Sequence, residues 1–362
     1  MLRLAVDLRP LLEPFESGVT QYTKALVREF LKRPEDLSLD LFYQARQRKE
    51  SIHALFPEVR HLPLSNTRFH LRCLLGFPPL PADFFEEKPD LIWIPDRRPF
   101  YRSSTPVVMT IHDRVPELFS NTLSFKSRLW HFLFPLKRLL TLCDGVLTPS
   151  LTVAQSLKLK IPKAVSYEGA SLAAAGVKKL HKGPFFLMIS PSDPRKRLEW
   201  CARAAVRFPK ISFVVLGLKA GEARFAKLKI QARPNLFLLG EVSEEEKAWF
   251  LRHATALLAL SRYEGFDLPV LEAVRAKCPV ILSDISVHRE LYKNACFVKT
   301  PEDLDLGLFR ALQGNVPVPQ PRGTYSWEKA AERSLLFFLR VLLNENRKRG
   351  GHRNRHDHPH DS

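Results

Sequence analysis

Along this chain, short apolar runs alternate with helix-length segments, and the alternation occurs twice. In the first half the runs are "LRLAVDL" (2–8), "LSLDLFY" (37–43), "PDLIWIP" (89–95), "PVVMTIHD" (106–113) and "DGVLTPS" (144–150). In the second half they are "FFLMIS" (185–190), "ISFVVLG" (211–217), "NLFLLG" (235–240), "ATALLAL" (254–260) and "CPVILS" (278–283). Strands that are apolar on both faces and separated by helices form a parallel sheet covered by its crossovers. The segment "VTQYTKALVREFL" carries the matching helical stripe, with apolar residues at 19, 22, 26, 27, 30 and 31. The fold class expected is α/β, with two doubly wound Rossmann-like domains facing across a cleft.

A length of 362 residues exceeds what one core usually supports. The small-residue stretch "YEGASLAAAGVKKLHKGP" (167–184) interrupts the alternation and reads as a linker. The boundaries predicted are a first domain at 1–168, a linker at 169–184 and a second domain at 185–326. A helix at 327–345 would cross back to brace the first domain, and a basic, His-containing tail at 346–362 would be disordered. In sheets of this kind, ligands sit beyond the carboxyl ends of the strands, often on helix N-termini.

Composition narrows the function classes. No apolar run is long enough to span a bilayer, and "MLRLAVDLRP" reaches Asp7 too early to supply a signal-peptide core. Five cysteines, odd in number and without zinc spacing, read as reduced thiols of a cytoplasmic protein. The net charge of +18 is spread along the chain, apart from "NRKRGGHRNRH". With no RNA-binding signature or helix-turn-helix pattern, no nucleic-acid partner is expected. Such a surface does suit peripheral contact with anionic membrane. The stretch "FKSRLWHFLFPLKRLL", within the helical segment 124–142, mixes Arg and Lys with Trp130, Phe132 and Phe134. Its aromatic stripe is taken as the buried face of a helix rather than as a membrane-surface segment. The tail histidines are read as an irregular segment rather than a metal site.

The most specific local signal is "SRYEGFDLPVLEA" (261–273). "ATALLALS" reads as a buried strand, "RYEGFD" as the turn leaving it, and "LPVLEAVRA" as a helix with Pro269 in its first turn. Asp267 is placed to cap that helix. The amides of Phe266, Asp267 and Leu268 would then form an anion site. Glu264 before the turn and Glu272 on the helix could each accept from adjacent hydroxyls, as on a sugar ring or a ribose. A diphosphate held between two hydroxyl readers describes a nucleotide-sugar.

At these residues the sequence resembles glycosyltransferase family 4, retaining enzymes of the two-Rossmann-domain B fold, over nearly its whole length. "AVDLRPLLEPFESGVTQYTKALVREF" resembles the family's opening strand, loop and helix. "PDLIWIPD" and "PVVMTIHDRVPELF" resemble its central strands, and "DGVLTPSLTVAQSL" the segment after them. "PSDPRKRLEW" and "LLGEVSEEEKAWFLRHATALLALSRYEGFDLPVLEA" are similar to its donor-binding half, and "YSWEKAA" to its closing helix. The pattern is most similar to bacterial mannosyltransferase-like members.

The resemblance implies transfer of a sugar from a GDP- or UDP-linked donor to a glycan or lipid-linked acceptor, the first domain being the acceptor side. It implies no cofactor and no metal, the nucleotide-sugar being a substrate. Glu264 would bond donor hydroxyls and support positive charge at the sugar carbon; Glu272 would hold the ribose. Phe266 to Leu268 would hold the diphosphate, and Lys196 with Arg195 would neutralise it as it leaves. Gly18 would approach that phosphate, Gly240 to Val242 would line the base pocket, and His112 would face the reacting sugar.

The chain departs from the family pattern where Thr20 replaces a second glycine, Asp267 a glycine, Lys277 a helix-ending glycine and Arg197 an asparagine. Two other readings stay open: a non-catalytic partner in a glycan-assembly complex, and a nucleotide-sugar epimerase on the same fold.

Overall fold

Every strand pairing in the two large sheets is parallel. The computed structural model describes residues 1–13, 16–77, 80, 84–101, 103–174, 180–189, 193–218 and 233–353. It divides into two units. One comprises Met1–Leu118, Leu123–Glu168 and the helix that begins at Trp327; the other comprises Phe119–Thr122 and Gly169–Ser326.

The strands of the first unit are β1 (Leu2–Asp7), β2 (Leu37–Ala45), β3 (Arg60–Pro63), β4 (Leu91–Ile94), β5 (Val107–Thr110), β6 (Gly145–Thr148) and β7 (Lys163–Val165). They lie in the order β3-β2-β1-β4-β5-β6-β7. The order reverses between β1 and β4, so the crossovers there leave for opposite faces and open a crevice at the strands' carboxyl ends. β3 and β7 were not expected. "RHLP" and "KAV" are short edge strands with little apolar character, so hydrophobic periodicity does not mark them.

The core of this unit depends on the closing helix, Trp327–Arg353. Ala330, Ala331, Phe337, Phe338 and Val341 pack with Leu4, Val6, Tyr22, Phe30 and Trp93. Phe30 and Trp93 meet edge-on at 5.6 Å, and Phe338 lies 6.0 Å from Trp93. Each such side chain taken out of water contributes about 1.5–3 kcal/mol. The helix runs eight residues past the expected end at 345, to Arg353. The rest of the predicted tail, 354–362, lies outside the described residues.

The segment 124–142 is two helices rather than one, Phe125–Leu133 and Leu136–Leu140. Pro135, without an N–H, separates them. The predicted burial of the first is also overturned, because none of its residues is buried. Phe125 is 75% and Phe132 80% exposed. Trp130, only half-buried, and Phe134, just beyond the helix, are the aromatics that pack inward. The stripe's periodicity was that of an amphipathic helix, but its apolar side faces out.

In the second unit β8 (Phe185–Ile189), β9 (Ser212–Leu216), β10 (Leu236–Leu239), β11 (Ala256–Ala259), β12 (Val280–Ser283) and β14 (Cys296–Val298) lie in the order β10-β9-β8-β11-β12-β14. A small antiparallel pair, β13 (Tyr292–Lys293) with β15 (Gln320–Pro321), stands apart from that sheet. The large sheet repeats the plan of the first, and its reversal falls between β8 and β11. Of its strands, β14 was not expected: "CFV" is apolar, but three residues are too short a run to show a period.

A close approach fixes where the closing helix lies on the first sheet. A Cβ built on Gly145, at the start of β6, would stand 2.8 Å from Val341 Cγ2 and 2.9 Å from Phe337 Cζ. Gly145→Ala should therefore destabilise the first unit by about 1–3 kcal/mol, as overpacking does. Val341→Ala in the same chain should recover part of that loss, which thermal or urea melts of the single and double variants would measure.

Candidate active site

The reversal point between β8 and β11 gathers the charged residues of the "PRK" and "EGFD" segments. After β8, Asp193 caps a 3-10 turn, Pro194–Lys196, by accepting from the Arg195 amide at 2.9 Å. Arg197 then takes φ 56°, in the left-handed region, and turns the chain into the helix Leu198–Arg207. After β11, the loop carrying Glu264 leads into the helix Leu268–Arg275, with Pro269 in its first turn. Both segments leave the carboxyl ends of neighbouring strands, which brings them together.

Lys196 Nζ lies 2.7 Å from Glu264 Oε1 and 3.8 Å from Asp267 Oδ1. Arg195 Nη1 reaches Glu264 Oε2 at 3.4 Å and donates to the Tyr263 carbonyl, while Nη2 pairs with Asp193 at 2.9 Å. Glu264, Asp267 and Arg195 are all buried. Burial alone would lower the lysine's pKa, but Glu264 and then Asp267 outweigh it and raise it. The lysine therefore carries its charge at any ordinary pH.

Asp267 adopts φ 73° and ψ 66° at the N-cap position, but its side chain makes no capping bond. The expectation that it caps the helix is thus corrected. Its carboxylate turns instead to the buried His288, Oδ2 lying 3.0 Å from Nε2. Burial would raise the Asp267 pKa, but Lys196 and the His288 bond hold it down at about 2. Lys277, at the other end, has φ 58° where glycine is commonly found.

Glu272, on the first turns of the helix, accepts from Lys247 at 2.8 Å, and the same ammonium lies 2.8 Å from Glu244. Burial lifts the Glu272 carboxyl above its usual range despite Lys247, whereas Glu272 raises the Lys247 pKa. With the two groups in direct contact, we read the pair as ionised. Phe266 is buried edge-on against Tyr325, and Leu268 is buried as the first helical residue. Gly240 and Val242 lie in the loop after β10, half-buried, where the Gly240 carbonyl accepts from the Gly217 amide at 2.9 Å.

Two of the singled-out residues belong to the first unit. Gly18 opens the helix Gly18–Leu31 and is exposed. His112 follows β5. Its Nδ1 lies 3.1 Å from Glu168, its Nε2 lies 2.8 Å from the Pro95 carbonyl, and Tyr22 meets the ring edge-on. Both partners are acceptors, which suits a ring protonated on both nitrogens. Burial lowers the His112 pKa, but Glu168, through its bond and its charge, outweighs this and raises it.

The sequence reading missed Lys247, His288 and Glu168. Each is a lone residue far along the chain from its partner, and no motif marks such pairs. Among the described residues, no cluster of His, Cys, Asp or Glu is arranged to hold a metal ion, and no helix is long and apolar enough to cross a membrane.

With this geometry in view, the chain was compared with known proteins. The family described as Glycosyltransferase Family 4 matches residues 17–166, and that described as Glycosyl transferases group 1 matches 174–306. The O-antigen chain mannosyltransferase RfbU of Salmonella typhimurium is 27% identical over 217 residues, 57% of this chain and 59% of that protein. The serotype-specific mannosyltransferase WbdA of Escherichia coli is 28% identical over 177 residues, 44% of this chain and 21% of that protein. The matches thus span less than two thirds of these relatives. Among solved structures, Anabaena HepE in complex with UDP and glucose aligns with TM-score 0.59 at 13% identity, covering 97% of this chain and 100% of the other. The lipopolysaccharide outer core galactosyltransferase WaaB aligns with TM-score 0.58 at 16% identity, covering 96% and 98%. From these two family matches and the shared fold, the chain belongs to glycosyltransferase family 4, with the doubly wound domains of the B fold.

Proposed function

We propose that the protein transfers mannose, with retention, from a nucleotide-linked donor to a growing glycan or a lipid-linked acceptor. The observation that carries this reading is the buried Lys196–Glu264 pair at the start of the helix Leu268–Arg275. The O-antigen chain mannosyltransferase and the serotype-specific mannosyltransferase among the relatives support mannose, and the first of them a glycan acceptor. They favour transfer over a non-catalytic role or epimerisation.

The proposed mechanism exchanges one ion pair for another. Without donor, Lys196 and Glu264 neutralise each other. A donor diphosphate, resting on the amides of Phe266, Asp267 and Leu268, would draw Lys196 and Arg195 toward itself. Glu264 is then released to accept from the sugar hydroxyls. As the bond from the anomeric carbon to the diphosphate oxygen breaks, the electron pair leaves with the diphosphate, where the two cations stabilise it. The carboxylate of Glu264 stabilises the positive charge left on the sugar carbon, and the acceptor hydroxyl oxygen bonds to that carbon on the face the diphosphate leaves, its proton passing to the departing diphosphate oxygen. Glu272 would hold the ribose, with Lys247 fixing its orientation. The loop from Gly240 to Val242 would line the base. Gly18 is assigned to the phosphate and His112 to the donor sugar. The charge on the leaving group is met by side chains and amides, so we propose a metal-independent reaction without cofactor.

A site of action at an anionic membrane surface, from the cytoplasmic side, belongs to the same proposal. On the helix Phe125–Leu133, Phe125, Leu129, Phe132 and Leu133 are exposed. On the neighbouring helix Asn66–Leu75, Leu71 and Leu75 are exposed too, with Phe77 just beyond. His70 lies 6.5 Å from the Trp130 ring and 5.5 Å from Phe134, and Arg138, on the next helix Leu136–Leu140, donates to the Leu74 carbonyl at 2.7 Å. Arg68, Arg72, Lys126, Arg128, Lys137 and Arg138 are exposed around this patch, and none of the three helices carries an acidic residue. Apolar side chains ringed by cations are what an anionic bilayer surface accepts, at about 1 kcal/mol for each cation near it.

Two expected outcomes test these readings. Transfer of labelled mannose from GDP-mannose, with UDP-sugars as the comparison, should persist in EDTA. It should fall about 10²–10³-fold in Glu264→Gln at a temperature where melting shows that variant still folded. Wild-type turnover of no donor in the panel would refute the reading. In flotation with phosphatidylglycerol vesicles, Phe125→Ser with Phe132→Ser should abolish binding that wild type shows at low salt. Equal flotation of wild type and variant would remove the membrane surface from the proposal.

A further inference from the structure

The donor mechanism leaves one buried group unexplained. Asp267 stands immediately before the helix whose first amides are proposed to take the diphosphate, and its carboxylate side chain is only 2% exposed. A bare anion there would repel a diphosphate and compete for Lys196, whose Nζ is already 3.8 Å from Oδ1. Something must hold that charge aside if the site is to work.

The hydrogen-bond directions around His288 show what does so. His288, on the helix Ser286–Leu291, is fully buried. Its Nδ1 lies 2.8 Å from the Ser283 carbonyl and 3.3 Å from Ser283 Oγ. The Ser283 hydroxyl donates to the Ser261 carbonyl at 2.6 Å, so its oxygen too can only accept from the ring. Nδ1 therefore carries a hydrogen. In a neutral ring, Nε2 would then point a bare lone pair at the Asp267 carboxylate 3.0 Å away. A proton must lie between them, and Lys196, which favours the ionised Asp267 carboxylate, makes Nε2 the donor.

We infer that His288 is a positioning residue for donor binding: by donating from Nε2 to Asp267, it neutralises that carboxylate and keeps it off the helix start, leaving it 3.8 Å from Lys196 rather than in direct contact. The inference rests on the reading that this site takes a nucleoside diphosphate-sugar. His288 touches no donor atom in this scheme. It acts only through Asp267, so its importance should vanish when Asp267 is removed.

The experiment measures GDP and UDP binding by calorimetry to the full chain, with melting of each ligand-free variant as a check on folding. His288→Leu, similar in bulk but without a donor, should weaken binding of whichever diphosphate the wild type takes by about tenfold or more. His288→Gln, whose amide can donate to Asp267, should recover much of it. In the Asp267→Gly background the His288→Leu change should cost less than about threefold. The loss should appear in the donor KM, with kcat at saturating donor little changed. Diphosphate binding by His288→Leu equal to wild type would overturn the inference, as would an equal loss in the Asp267→Gly background, which marks a purely structural histidine. Should His288→Leu fail to fold, wild-type-like binding by Asp267→Gly/His288→Leu together with weakened binding by a folded His288→Ala would still support it, and weakened binding by both would overturn it. Failure of wild type and Asp267→Gly alike to bind GDP or UDP would instead sink the donor reading, and the inference with it.

Discussion

An ammonium and a carboxylate in contact at 2.7 Å, with little access to water, set the terms for the second unit. Neither could be buried alone, because an isolated charge in such a place costs several kcal/mol. Lys196 is therefore tolerated because Glu264 and Asp267 face it, and those carboxylates are tolerated because of Lys196, Arg195 and His288. The arrangement is a closed set of charges without a ligand. An incoming anion must compete with carboxylates already present. The cost of that competition is small only where the displaced carboxylate gains new donors, as Glu264 does from sugar hydroxyls in the proposed reaction. A site of this kind selects for ligands that bring a diphosphate and hydroxyls together, and it gives little to either alone.

What made the fold legible was the parallel sheet itself. Strands buried on both faces must be apolar throughout, so runs such as "FFLMI" and "VILS" stand out from the amphipathic helices between them. Edge strands escape that requirement: β3 and β7 were not seen because each starts on a polar residue, and β14 because its apolar run is only three residues long. The exposed stripe of Phe125–Leu133 shows the converse limit. Periodicity gives the direction of an apolar face relative to its own helix, never relative to the rest of the molecule. In the site, Glu264 and Glu272 could be set on a turn and the helix after it because strand, turn and helix follow one another locally, whereas Lys196 came only from the resemblance. Asp267 was misread because its partner, His288, arrives from 21 residues further on.

The two sheets share a strand order, but their carboxyl ends are charged differently. In the first unit Asp7 and Arg9 form a buried pair at the end of β1, Arg98 and Asp96 pair after β4, and His112 and Glu168 pair after β5. Arg9 and His112 each have one close carboxylate, and Arg9 also donates to the Pro99 carbonyl, whereas Arg98 bridges Asp96 and Glu13. Pairs of that kind hold loops in place and have no spare charge to offer an anion. In the second unit the cations and carboxylates are shared, Lys196 between two acids and Glu264 between two bases. A shared network can lose one member to a ligand and still leave its remaining charges partnered, whereas breaking a simple buried pair strands an ion. That sharing of Lys196 and Glu264, more than the common topology, is the physical reason for proposing that the anionic donor binds the second unit.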